Sequence, residues 1–190
     1  MIILADDMGF SDAHCYGGDI DTPHFDRMAA GGLRFTQAYS TARCGPSRSC
    51  LLTGQYAQQN ASDVMTPGKT PDYTRFLPEY LKPLGYRSYH TGKWHMKPVT
   101  GEEGVGFDHS YTMMDEMRFF TQNRHLLDGV ELPKPEPGYY STTAIADYGV
   151  RFLKEHTRAH SSQPFFLYTA FHAPRSSLRH AQSSHPPFRT

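Results

Sequence analysis

The chain has 190 residues, 19 basic and 19 acidic side chains and a hydrophobic share of 38%, the proportions of a globular protein able to bury one good core. A formal net charge of zero gives no electrostatic case for nucleic acid or an anionic membrane as partner, and no apolar run approaches the length of a transmembrane helix. Three cysteines, Cys15, Cys44 and Cys50, are too few and odd in number for a disulfide framework, and their spacing matches none of the usual zinc pairs.

Met1 to Leu4 is a short apolar run of the kind that fills a buried parallel strand. It lacks the basic region and cleavage site of a secretory signal, so the chain itself assigns no compartment. Asp6 and Asp7 follow directly. Aspartate is common in turns, but two adjacent carboxylates ending a strand repel unless a cation or arginine sits between them. Thr22 to Ala30 reads as a helix with Thr22 as N-cap, Pro23 as first helical residue and Gly31-Gly32 as the stop. Leu33 to Tyr39 alternates as a strand would.

Ala42 to Gly54 is a polar turn containing a thiol, then a short helix that Pro46 helps to start and Gly54 ends. The N–H groups of that turn, with Arg48, point positive charge at any anion beside Cys44, and a thiol there is expected to be acidified and reactive. Gln55 to Tyr73 reads as an exposed loop. Phe76 to Leu84 is a short amphipathic helix closed by Gly85, with Pro83 disturbing its last turn. Arg87 to Thr91 is a strand, and Gly92-Lys93-Trp94-His95-Met96 stands at its end.

Val99 to Tyr140 reads as a long irregular stretch to which no chemistry is assigned, with Met113, Met114 and Met117 as packing residues. Thr143 to Glu155 is the clearest helix: Ile145, Tyr148, Phe152 and Leu153 share one face, and Ser141 or Thr142 is placed to cap it. Pro164 to Phe171 is a buried strand, ended by His172-Ala173-Pro174. Residues 1–174 therefore read as one domain. From Arg175 to Thr190 the chain has no acid and little apolar periodicity, the composition of a disordered tail.

Strands alternate with helices, so the fold class is α/β, a mainly parallel sheet flanked by helices. Asp6-Asp7, Lys93-His95 and His172 each lie at the carboxyl end of a predicted strand, the edge where open α/β sheets bind ligands. They are expected to converge there with the Cys44 turn.

Cys44-x-Pro46-Ser47-Arg48 followed by Leu51-Leu52-Thr53-Gly54 resembles the formylglycine motif of the type I sulfatases. Asp6-Asp7, the Thr22-Pro23-His24-Phe25-Asp26-Arg27 run, Gly92 to His95 and Pro164 to His172 are similar to that family's other segments, in the same order. The resemblance implies an alkaline-phosphatase-like fold and hydrolysis of a small-molecule or carbohydrate sulfate ester. It implies that a formylglycine-generating enzyme oxidises Cys44 to formylglycine, and that Asp6, Asp7 and the modified Cys44 hold one calcium ion. By the same resemblance Arg48 and Lys93 add positive charge, His95 is the base and His172 serves the leaving group.

The sequence departs from the pattern at His24, where asparagine is usual, and at Arg175, where a second histidine is common. The family's later Asp-Asn metal segment and a further lysine have no match here, which reads as a C-terminally truncated sulfatase domain. A catalytically incompetent fragment is therefore one alternative; a phosphonate or phosphate ester hydrolase of the same superfamily is another.

Overall fold

The computed structural model describes residues 1–62, 70–98, 105–115 and 118–174. Its frame is a six-stranded sheet built from β1 (Ile2–Asp6), β2 (Arg87–Lys93), β3 (His109–Met113), β4 (His125–Leu127), β5 (Val130–Glu131) and β6 (Phe165–Pro174), in the order β1-β6-β2-β3-β4-β5. The pairs β1–β6, β6–β2 and β2–β3 are parallel, and β3–β4 and β4–β5 are antiparallel. Four helices complete the frame: α1 (Pro23–Gly31), α2 (Cys44–Thr53), α3 (Leu77–Leu81) and α4 (Ser141–Ala159).

The apolar run of β6 follows from its place beside β1 and β2, with both faces covered. Phe166, Tyr168 and Ala170 join Leu52 of α2, Phe76, Trp94, Met96 and Val105 in one core. Leu167 faces the other way and packs with Tyr89, Tyr111, Met113, Ile145 and Phe152. The stripe foreseen on α4 is the one buried: Ile145 and Phe152 are in that second core, with Tyr148 and Leu153 against it. Burying a side chain such as Ile145 contributes about 1.5–3 kcal/mol, so α4 is held by this face rather than by its intrinsic propensity.

Helix boundaries fall close to expectation. Gly54 adopts φ 69° and donates its N–H to the Cys50 carbonyl, closing α2. Pro83 converts the end of the α3 region into a 3-10 turn, Lys82–Leu84, closed by Gly85 at φ 83°. Gly92 is where glycine is required. With φ +105°, a Cβ built on it would lie 2.1 Å from the Ala170 carbonyl oxygen, so its absence lets β2 pass close to β6 just before Lys93.

Several expectations are corrected. Leu33 to Tyr39 is not a strand: among the described residues nothing pairs with it, and Leu33 and Tyr39 are 89% and 88% exposed. Alternation marks a strand only where a sheet supplies a neighbour, and this segment is instead fastened by Tyr16 donating to the Phe35 carbonyl and Arg34 donating to the Cys15 carbonyl. Strand β1 is parallel but stands at the sheet edge, with Ile3 48% exposed. Part of the presumed loop after Gly54 is buried, because Asn60 Nδ2 donates to Thr53 Oγ1 and draws Ala57 and Asn60 inward.

The stretch from 99 to 140 holds three strands, β3 to β5. Their short segments carry no strong alternation, and tertiary pairing of β3 with β2, β4 with β3 and β5 with β4 overrides that weak signal. Met113 is buried in the second core as foreseen; Met117 and the tail assigned to 175–190 lie outside the described residues.

Candidate active site

At the carboxyl edge of the sheet the β1–β6 register shifts between Leu4 and Asp6. That irregularity leaves Asp6 buried at 3% exposure while Asp7, at φ 59°, turns into the left-handed region that aspartate tolerates. Two consecutive carboxylates are thereby aimed at one place instead of at opposite faces of a strand.

Helix α2 starts there. Arg43 is its N-cap in extended conformation, and Ser47 N–H donates to the Arg43 carbonyl at 3.0 Å. Gly45 packs so closely on the next loop that a Cβ would stand 3.2 Å from the His95 carbonyl oxygen. This contact seats the end of β2 beside Cys44. The ligand atoms of Asp6, Asp7 and Cys44 all lie within 4.8 Å of one another, with Cys44 Sγ 3.9 Å from Asp7 Oδ1.

Arg48, one turn into α2, is 1% exposed. Its Nη2 donates to Asp6 Oδ1 at 3.1 Å and to the Phe171 carbonyl at 3.5 Å, and its Nη1 to the Lys93 carbonyl at 3.1 Å and Tyr168 Oη at 3.3 Å. One guanidinium therefore ties β1, β2 and β6 to α2. Lys93, the last residue of β2, donates from Nζ to Asp6 Oδ2 at 2.8 Å. Both oxygens of Asp6 are thus ion-paired inside the protein. Burial pushes this carboxyl up, but Lys93 and then Arg48 outweigh it and hold it below the usual carboxylate value.

The thiol behaves otherwise than expected. Burial raises the Cys44 pKa, Lys93 opposes that, and Asp6 and Asp7 raise it further, so that it ends above its ordinary value. The Lys93 charge does not acidify it because burial outweighs that charge and the Asp6 and Asp7 carboxylates add to burial. As an untreated cysteine, position 44 is a poor nucleophile at neutral pH.

His95 follows Lys93 and Trp94, is exposed, and holds φ 55°. His172 lies on β6, 1% exposed, with Nε2 2.9 Å from Ser141 Oγ and its ring centroid 4.6 Å from that of Phe119. Burial first, then the Lys93 and Arg48 charges, lower its pKa to about 4, against smaller opposing effects of Asp6 and the Arg118 backbone. The ring is neutral at pH 7. Among the described residues Nδ1 makes no hydrogen bond, so the Arg118 effect is that of a neighbour and not of a formed bond.

The fold thus gathers Asp6, Asp7, Cys44, Arg48 and Lys93 into one cluster. It seats His95 on the adjoining loop and sets His172 within the field of Lys93 and Asp6. Sequence reasoning missed Tyr168 as a partner of Arg48 and placed Ser141 or Thr142 as the cap; the N-cap is Tyr140, and the Ser141 hydroxyl serves His172 instead. The continuous apolar run of β6 marked Tyr168 as buried, and a buried hydroxyl needs a partner. Nothing in the sequence marked Ser141.

A mostly parallel sheet with helices on both faces, carrying this acid–base cluster at the carboxyl ends of its strands, defines an α/β domain of alkaline-phosphatase-like architecture. The sulfatase family model matches residues 1–188. The chain belongs to the sulfatase family. Arylsulfatase of Klebsiella aerogenes is 32% identical over 204 residues, covering 94% of this chain and 43% of that enzyme. Human N-acetylgalactosamine-6-sulfatase is 43% identical over 124 residues, covering 57% and 24% respectively.

Among solved structures, a protein in complex with its substrate D-glucosamine-2-N,6-O-disulfate matches with TM-score 0.77 and 30% identity, over 91% of this chain and 34% of that one. Another, bound to a neocarrahexaose, matches with TM-score 0.80 and 28% identity, over 93% and 45%. The chain spans less than half the length of each of these relatives.

Proposed function

We propose that this chain carries the nucleophile and metal half of a sulfate-ester hydrolase site, with Cys44 oxidised to formylglycine and calcium held by Asp6, Asp7 and residue 44. The observation that carries the reading is the meeting of those three side chains within 4.8 Å, while Arg48 and Lys93 keep Asp6 ionised. Two carboxylates suit a hard divalent cation; a thiolate is a softer ligand, and an oxygen at the same position fits calcium better. When present, the calcium ion supplies positive charge against the sulfate oxygens and the hydrated aldehyde supplies a hydroxyl nucleophile.

The net reaction adds water across the ester S–O bond and releases an alcohol and sulfate. Arg48 contributes by orientation: its donors are engaged by Asp6, Tyr168 and two carbonyls, so it fixes the carboxylate rather than gripping the ester. Lys93 places a cation at the same point, worth about 4 kcal/mol against an anionic oxygen at contact in an intermediate dielectric. His95, exposed beside residue 44, takes and returns the proton there. His172, neutral at pH 7, hydrogen-bonds the departing oxygen. The relatives solved with sulfated or carrageenan-derived sugars make a carbohydrate sulfate the substrate class to try first.

The experiment is mass spectrometry of the Cys44 peptide from cells that contain the modifying enzyme, together with hydrolysis of a chromogenic aryl sulfate by wild type and Cys44→Ala. Conversion of Cys44 and loss of turnover in the variant are expected. An unconverted thiol in every molecule, or equal rates, overturns the reading.

A second reading is that this chain folds but does not turn over. It draws on one observation: the described residues contribute three clustered ligands, where calcium takes about 6–8 oxygens. Calcium titration separates the two, since binding only above about 1 mM favours the incompetent form.

A further inference from the structure

Ser141 is the first residue of α4, is 0% exposed, and places its hydroxyl 2.9 Å from His172 Nε2. The N-cap of α4 is Tyr140, so Ser141 stands one residue past the position from which a serine oxygen caps the first turn. The hydroxyl is committed to the histidine instead.

We propose that Ser141 is a positioning residue for His172: its hydroxyl donates to Nε2 and locks the ring as the Nδ1–H tautomer.

The ring is gripped from three elements. Strand β6 holds its backbone and α4 holds Nε2. The loop between β3 and β4 supplies Phe119, whose ring centroid lies 4.6 Å away. That loop is itself fastened to the same serine, because Ser141 N–H donates to the Phe119 carbonyl at 2.8 Å. Truncating Ser141 to alanine removes one grip without touching the others.

The direction of the bond follows from what surrounds the other nitrogen. A neutral imidazole carries one N–H and one lone pair. Nδ1 is buried without a formed hydrogen bond, and its polar neighbour is the Arg118 backbone, which favours the protonated ring as a carbonyl does. The Arg118 carbonyl already accepts from Gln122 Nε2 at 2.7 Å. An N–H on Nδ1 is therefore the arrangement compatible with its neighbour, and the lone pair falls to Nε2, facing the Ser141 hydroxyl.

Two other buried histidines give the contrast. Nε2 of His125 meets the Pro133 carbonyl at 2.8 Å and Nε2 of His156 meets the Gln163 carbonyl at 3.0 Å, so both are Nε2–H. Their Nδ1 atoms accept from Tyr111 and Tyr89.

The tautomer stands independently of the chemistry; its consequence for turnover rests on the sulfate-ester reading. Long-range proton–nitrogen correlation of the histidine rings, recorded at neutral pH on the full chain, tests it. His172 is expected to show Nδ1 protonated, opposite to His125 and His156. Ser141→Ala should move His172 toward Nε2–H while the other two patterns persist, which also certifies the fold; Ser141→Thr should restore the wild-type pattern. An Nε2–H pattern for His172 in the wild type, or one unchanged in Ser141→Ala, overturns the proposal. If Ser141→Ala does not fold, wild type and Ser141→Thr still decide the tautomer. On an aryl sulfate, Ser141→Ala should lower kcat about tenfold, the loss of one ordinary hydrogen bond, with KM unchanged. A wild type that turns nothing over removes the hydrolase reading and leaves the tautomer measurement intact.

Discussion

Replacing Arg48 by methionine tests whether the site is also the clamp that holds the sheet edge. The guanidinium is 1% exposed and donates to Asp6, Tyr168, and the carbonyls of Lys93 and Phe171. Methionine keeps most of the length and no donor. It removes one of the two cations paired with Asp6 and strands buried acceptors, each worth about 1–3 kcal/mol when unsatisfied. Breaking a buried pair from one side typically costs about 3–5 kcal/mol, which for a domain of this size lowers Tm by about 6–20 °C. The assay is thermal unfolding followed by circular dichroism, repeated between pH 7 and pH 3.

The pH dependence has a definite sign. Asp6 has a folded pKa held below its ordinary value, so its contribution is present above the unfolded carboxylate pKa and fades as pH falls through the folded one. The deficit of Arg48→Met should therefore be full at pH 7 and shrink as pH falls below the ordinary carboxylate value, where the unfolded chain takes up the proton that folded wild type resists. A Tm within about 2 °C of wild type at pH 7, less than 1 kcal/mol, refutes the clamp. A deficit that does not change with pH refutes the role given to Asp6.

Gly92→Ala should destabilise by about 3 kcal/mol or more, since its Cβ would meet the Ala170 carbonyl oxygen at 2.1 Å with φ at +105°; a wild-type urea midpoint contradicts this. In unmodified protein, Cys44 should alkylate slowly at pH 7.5 and faster as pH rises, because burial and then Asp6 and Asp7, opposed by Lys93, hold its pKa above the ordinary thiol value. Iodoacetamide labelling of Cys44 faster than that of a free cysteine peptide counts against it. Calcium should bind more weakly by about tenfold or more in Asp7→Asn, one charged ligand having become neutral; isothermal titration giving equal affinities takes Asp7 out of the metal site.

What could be read in the sequence was what depends on short-range chemistry. Pro23, Gly54 and Gly85 mark helix ends through their own backbone limits, and β6 and α4 declare themselves through apolar patterns that two packed faces require. The cluster was legible because Asp6, Lys93 and the Cys44 turn each sit at the end of a recognisable element. Three things were not legible. A strand such as β3, His-Ser-Tyr-Thr-Met, carries its information in the partner β2 and not in itself. The alternating segment after Gly32 found no such partner among the described residues. The acidity of Cys44 was misjudged because a helix start is visible in sequence, whereas its distance to Asp6 and Asp7 is a property of the bulge in β1.

The charges at the sheet edge constrain how such a site can fill. Asp6 and Asp7 carry two negative charges, Arg48 and Lys93 two positive ones, and among these four the sum is zero. A dication entering alone meets the carboxylates but also the two cations, and an anionic ester alone meets the cations but also the carboxylates. Entering together, each neutralises what the other brings, so the two must strengthen one another's binding by the same factor. Either entry disturbs Asp6, and its two partners differ in what they can do. Arg48 is fixed by acceptors on three strands. Lys93 reaches Asp6 at the tip of a four-carbon stem, with rotations that the planar guanidinium in its cradle lacks. On the sulfate-ester reading proposed above, Arg48 keeps Asp6 in place through the cycle, and Lys93 turns from the carboxylate toward an incoming sulfate oxygen.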